Sequence, residues 1–226
     1  MISIKLNKEL DYEVYGDFKD FKIGGVNFGE KIRKNHPEIN ADNYREYIDN
    51  FYLTNQNLLE KNCQEINNDL NQKQQKFFTE LKNIFGLDIS KKEYLGYLSI
   101  FNCNPRYIEK GTFQIFYKKD LLDKIEVAFH ESLHFAFFDY CDQFIEETKS
   151  LSKNSGPLWE LSEIFNVIVL NLPQFQEILQ RPEQPFYPEL KEKLEIVQNV
   201  WDKNHDNLKN FIMEILKINH VANKDF

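Results

Sequence analysis

Glycine and proline are scarce in this chain, at eight and seven residues out of 226. A small β-sandwich built on many tight turns needs more of both, so long helices are expected instead. Cysteine is scarcer still. Cys63, Cys103 and Cys141 cannot all pair within one chain and form no CxxC, which points to reduced thiols in a reducing compartment. No run approaches the ~20 apolar residues that a membrane-spanning helix needs. The opening stretch MISIKLNKELDYEVYG carries an acid within its first ten residues and lacks the apolar centre of a signal peptide. A cytoplasmic protein with no membrane partner is therefore expected. Positive charge is also short: 28 Lys+Arg stand against 36 Asp+Glu, a formal net charge of −8. Such a field repels a nucleic-acid backbone, so no nucleic-acid partner is expected.

Aromatic residues are abundant, with 20 Phe and 11 Tyr, and 42% of the chain is hydrophobic against 28% charged. This is the balance of a folded globular protein with an aromatic core. Residues 2–6 and 11–15 alternate weakly and read as strands. Gly24-Gly25 signals a turn, and residues 28–36 suggest a short helix stopped before Pro37. Asp42 or Asn43 can cap a long helix reaching Phe85, with apolar residues spaced mostly at three and four and Gly86 as its stop. Residues 94–101 (YLGYLSIF) and 112–117 (TFQIFY) read as strands, with Asn104-Pro105 as a break after the first. Asp120 can cap a helix running to about Tyr140, apolar nearly all round and hence buried on most sides. Pro157 opens a further helix to about Asn171. The loop RPEQPFYP follows, and residues 189–220 read as a final helix or helix pair. The fold class is α+β, helices packed on a small sheet, in a single domain: residues 1–41 lead in, 42–171 form the core and 172–226 a helical extension.

Within the helix after Asp120 stands His130-Glu131-Ser132-Leu133-His134, an H-E-x-x-H pattern. Residues four apart on a helix lie on one face, so both imidazoles can reach a single zinc ion at about 2.0–2.1 Å. Glu131, beside the first histidine, is placed to take a proton from a water that the ion activates. The helix is otherwise greasy, and a buried carboxylate needs a partner; a metal and its water would be one. A solvated polar stripe is the structural alternative, because the three residues share a sector of the helix.

The stretch from Val127 to Ala136, VAFHESLHFA, resembles the extended signature of the zincin metallopeptidases. Its internal positions are uncharged, proline is absent, and Val127 stands three before the first histidine. The resemblance implies a small, mostly antiparallel sheet with several long helices, and one zinc per chain. It also implies a peptide or protein substrate lying along an edge strand. A catalytic zinc takes three protein ligands and leaves one position open. The three-histidine continuation would require glycine at 137 and histidine at 140, where this chain has Phe137 and Tyr140. The gluzincin-like branch instead draws a glutamate from a following helix, which offers Glu160 and Glu163. Glu163 is the better choice, being deeper in the helix and flanked at helical spacing by Trp159, Val167 and Leu170. Glu160 lies in the first turn, where the helix dipole favours a surface carboxylate. That branch often carries an aspartate four residues after the ligand; Val167 stands there. Asn166 reads as a supporting residue or simply as a polar helix position.

The function expected is thus a zinc-dependent hydrolase, a metallopeptidase with His130, His134 and Glu163 as ligands and Glu131 as general base. A catalytically inactive metal-binding or interaction protein is the alternative. Tyr140, Tyr187, His205 and His220 are possible oxyanion donors, and nothing in the sequence selects one. Cys103, following a strand, raises a cysteine-ligated site of the deformylase kind, but its surroundings do not resemble that motif.

Overall fold

The computed structural model describes residues 1–23 and 25–222, with side chains up to Ile218. Among these residues the chain is α+β, with eight α-helices and a small mixed sheet. It divides into two compact units. One comprises Met1–Gln75 and Lys92–Glu131, the other Lys76–Lys91 and Ser132–Phe226. No described helix is long and apolar enough to cross a membrane.

The first unit holds the sheet. Strands β1 (Ile2–Leu6), β4 (Tyr94–Ser99), β6 (Thr112–Phe116) and β5 (Arg106–Tyr107) lie in the order β1-β4-β6-β5. β1 runs parallel to β4 and β4 parallel to β6; only the short edge strand β5 is antiparallel. The expected mostly antiparallel sheet is therefore corrected to a mostly parallel one. The connection from β1 to β4 is largely helical, and such a crossover returns the chain in the same direction. Strand β6 is buried on both faces, whereas β4 buries Tyr94, Gly96 and Leu98 and leaves Leu95 and Tyr97 half-buried. At Gly96 an added Cβ would meet Ile4 Cδ1 at 2.5 Å and Phe113 Cε2 at 2.7 Å, so only glycine lets these strands pack.

Residues 11–15, expected as a strand, belong to helix α1 (Lys8–Phe18). The Asn7 side chain accepts from the Glu9 amide at its start, and Asp11, Val14 and Tyr15 bury one face. Asp11 explains why tertiary structure overrides the weak alternation. Its carboxylate accepts from Ser99 Oγ at 2.5 Å, Tyr52 Oη at 2.7 Å and the Ile100 amide at 3.1 Å. Around the Gly24-Gly25 turn a two-residue hairpin forms, β2 (Lys22–Ile23) against β3 (Val26–Asn27); Gly24 itself lies outside the described residues. Helix α2 (Phe28–Asn35) follows, and its Gly29 backs onto the Lys19 carbonyl. Helix α3 (Tyr44–Phe85) is long, as its periodicity predicts, but is interrupted at Asn55 (φ −109°, ψ 16°), whose amide donates to the Phe51 carbonyl. Its end at Gly86, φ +65°, is the glycine stop read from the sequence.

The second unit is helical. It takes the end of α3, the second half of α4 (Leu121–Phe144), and then α5 (Gly156–Leu170), α6 (Pro173–Leu179), α7 (Lys191–Asn204) and α8 (Leu208–Ala222). α5 packs against α6, α7 and α8. Its core is aromatic: the Phe165 ring meets Phe85, Phe137, Trp201 and Phe211 with centroids 4.9–6.0 Å apart.

Candidate metal centre

Helix α4 begins where the sequence places it: the Asp123 amide donates to Asp120 Oδ1 at 2.7 Å. From there Ile125, Ala128, Phe129, Leu133 and Phe135 to Phe138 are all buried. A helix wrapped this fully carries its polar residues inward with it. His134 is completely buried and Glu131 nearly so. At about 100° per residue, His130 and His134 stand about 40° apart on one face, with Glu131 about 60° further round from His134. The His134 ring stacks on Phe138, one turn on, with planes 11° apart, which fixes its orientation.

Helix α5 brings the carboxylate. Pro157 sits in its first turn, and every residue from Leu161 to Leu170 is buried. Glu163 stands among them with 8% of its surface exposed, and its Oε1 lies 3.4 Å from His134 Nε2. His130, half-buried one turn before His134, completes a group whose ligand atoms all lie within 4.8 Å of one another. Glu160 turns elsewhere: its carboxylate pairs with Lys193 Nζ at 2.5 Å, with both side chains partly exposed. Of the two carboxylates the sequence offered, the structure brings Glu163 to the histidines.

The group can hold a divalent metal ion. Bonds of about 2.0–2.1 Å in tetrahedral arrangement place neighbouring ligand atoms about 3.3–3.4 Å apart. The His134–Glu163 separation of 3.4 Å matches that edge, and all the ligand atoms of the group lie within 4.8 Å of one another. Two imidazoles and one carboxylate are also a donor set that first-row divalent metals accept with positions left open.

Glu131 stands outside the group. Its Oε2 takes a hydrogen bond and ion pair from Arg106 Nη1 at 3.0 Å, with the two side chains only 11% and 10% exposed. Arg106 is the residue that sequence reasoning missed. It is one of four arginines, follows a loop break at Asn104-Pro105, and fits no spacing rule; nothing in the sequence marks it. The structure marks it by its scaffold. Asn104 adopts φ +46° and its Oδ1 accepts from the Phe116 amide, while the Pro105 carbonyl accepts from Gln114. These contacts and the register Arg106↔Phe113 fix β5 against β6.

The tyrosine candidates are engaged in packing. Tyr140 lies against Phe85 and Phe144, and burial raises its hydroxyl above the ordinary range. Tyr187 stacks edge-on against Trp159. His205 is exposed, with Nδ1 near the Asp202 carbonyl and Nε2 3.4 Å from Asp206. The His220 side chain lies outside the described residues. Asn166 is fully buried in α5. Cys103 takes no part in the metal group; burial pushes its thiol up to about 12, and those of Cys63 and Cys141 to about 11 and 12.

Compared with known protein families, with curated proteins and with solved structures, the chain gives no match.

Proposed function

We propose that this chain is a zinc-dependent hydrolase of zincin-like, gluzincin-type arrangement, a metallopeptidase acting on a peptide or protein substrate. The observation that carries the reading is the buried His134–Glu163 pair at 3.4 Å, with His130 on the same helix face. A buried carboxylate is stabilised by a cation beside it, and a metal ion held by His134 and Glu163 would supply one.

His130, His134 and Glu163 would be the ligands. Zinc, when bound, supplies Lewis-acid polarisation of a carbonyl and acidification of a water molecule. Glu131 accepts the proton from the attacking water and passes it to the leaving amine. Arg106 fixes the carboxylate that does so. A cytoplasmic setting fits the three buried, unpaired thiols.

Elemental analysis of the purified protein tests the reading: about one zinc per chain is expected, and His134→Ala abolishes it. Iron in place of zinc would point to redox chemistry, and a metal-free native protein would overturn the proposal. Glu131→Gln is expected to keep the metal and lose hydrolysis by about 10²–10⁴-fold. A second reading, metal binding without turnover, is favoured by one observation: Glu131 is already engaged by Arg106. Zinc-loaded protein that cleaves no member of a peptide library would support it.

A further inference from the structure

The Arg106–Glu131 pair is buried, and burying two charges gains little net stability over apolar packing. A rigid local scaffold nevertheless delivers the guanidinium to this one carboxylate. The Asn104 turn at φ +46°, the Pro105 carbonyl bond and the β5–β6 register all converge on Arg106. The carboxylate it holds is the neighbour in sequence of one ligand and three residues from the next, on the same side of α4. A site of two histidines and one glutamate with a second glutamate at hand has an inherent alternative, in which both carboxylates bind the metal and close the open position. Arg106 is a permanently charged competitor for the second one.

Resting on the metal-centre reading above, we propose that Arg106 is a positioning residue that keeps Glu131 out of the metal's coordination shell, so that a bound divalent cation retains three protein ligands and one open position. The guanidinium donates an Nη1–H hydrogen bond to Glu131 Oε2. A residue that merely stapled β5 to α4 would do nothing to the number of ligands.

The two roles separate in the cobalt-substituted full-length protein, read by visible absorption and titrated with azide as a ligand for the open position. The proposal expects Arg106→Gln to release Glu131 onto the metal. Azide affinity then falls about tenfold and zinc affinity, measured by chelator competition, rises about tenfold. Loss of an ordinary supporting residue instead weakens metal binding by about 10–100-fold. The double variant R106Q/E131Q is expected to restore azide affinity to within about twofold of the parent. Unchanged or weakened zinc affinity in R106Q, with azide binding intact, would overturn the proposal. If R106Q does not fold, Glu131→Gln alone decides: zinc and azide affinities close to the parent's support the inference, and loss of zinc overturns it, because Glu131 would then be a ligand. A parent protein that binds neither zinc nor cobalt refutes the metal-centre reading itself, a different result from any of these.

Discussion

Asp11 sets a sharp test of how burial acts on this fold. Its carboxylate is fully buried, and three donors, Ser99 Oγ, Tyr52 Oη and the Ile100 amide, point at it. Burial disfavours the charge and the donors favour it; burial wins, and the group is pushed up to about 6 from 3.8. The folded state thus holds a proton that the unfolded state has released between these two values. Stability contributed by this group is complete below pH 3.8 and is lost as pH rises through about 6. At 1.36 kcal/mol per tenfold step, the loss is about 3 kcal/mol. Other groups titrate in the same range, so the variant difference is the quantity to measure. His36, buried with Nε2 on the Ile100 carbonyl and Nδ1 on Tyr47 Oη, is lowered by burial and contributes with the opposite sign. In Asp11→Asn both proteins share that contribution and it cancels. Urea unfolding of parent and variant at pH 4, 5, 6 and 7 gives the comparison. The parent's advantage over Asp11→Asn is expected to shrink by about 2 kcal/mol between pH 4 and pH 7, because part of the loss already lies below pH 4. The variant's own hydrogen-bond defect, of about 1–3 kcal/mol, adds a pH-independent offset. A difference that stays flat, or grows with pH, would refute the reasoning.

Further outcomes follow from other positions. Glu163→Gln is expected to lose the metal and Glu160→Gln to keep it, because Glu160 is paired with Lys193; metal content of the two variants decides. Chelator treatment is expected to lower Tm. Relative to protein with free zinc at 100 times Kd, the loss is about 2.7 kcal/mol, or about 5–10 °C for a chain of this size. Gly29→Ala, usually favourable in a helix, is here expected to destabilise by about 3 kcal/mol in urea unfolding. An added Cβ would stand 1.9 Å from the Lys19 carbonyl oxygen.

Where the sequence was legible, a single local rule governed the outcome. Helices α3, α4 and α5 are long or capped well enough that periodicity, Asp120, Pro157 and Gly86 locate them. The two histidines are legible for the same reason, since helical spacing alone puts them on one face. Glu163 was readable from burial pattern on α5. What was illegible depends on partners far away in the chain. Residues 11–15 alternate like a strand, yet Asp11 is drawn into a helix by hydrogen-bond donors at positions 52, 99 and 100. The direction of the strands is set by crossovers, which period-two patterning does not encode. Arg106 reaches Glu131 across 25 residues, from a two-residue edge strand too short to show any period.

The parallel pairing of β1 with β4 also orders the assembly of the sheet. Ile2 meets Tyr94, a separation of 92 residues, whereas Leu95 meets Thr112 across 17. Closing the longer loop costs about 4 kcal/mol of chain entropy against about 2.5 for the shorter. The β5–β6 pairing, with Tyr107 opposite Thr112, closes a shorter loop still, so by this measure the sheet grows from β5–β6 through β4, and β1, although it precedes them all in the chain, is expected to dock last. Until it does, one side of β4 is an open template, and the time spent in that state is when this chain is most exposed to pairing with the wrong strand.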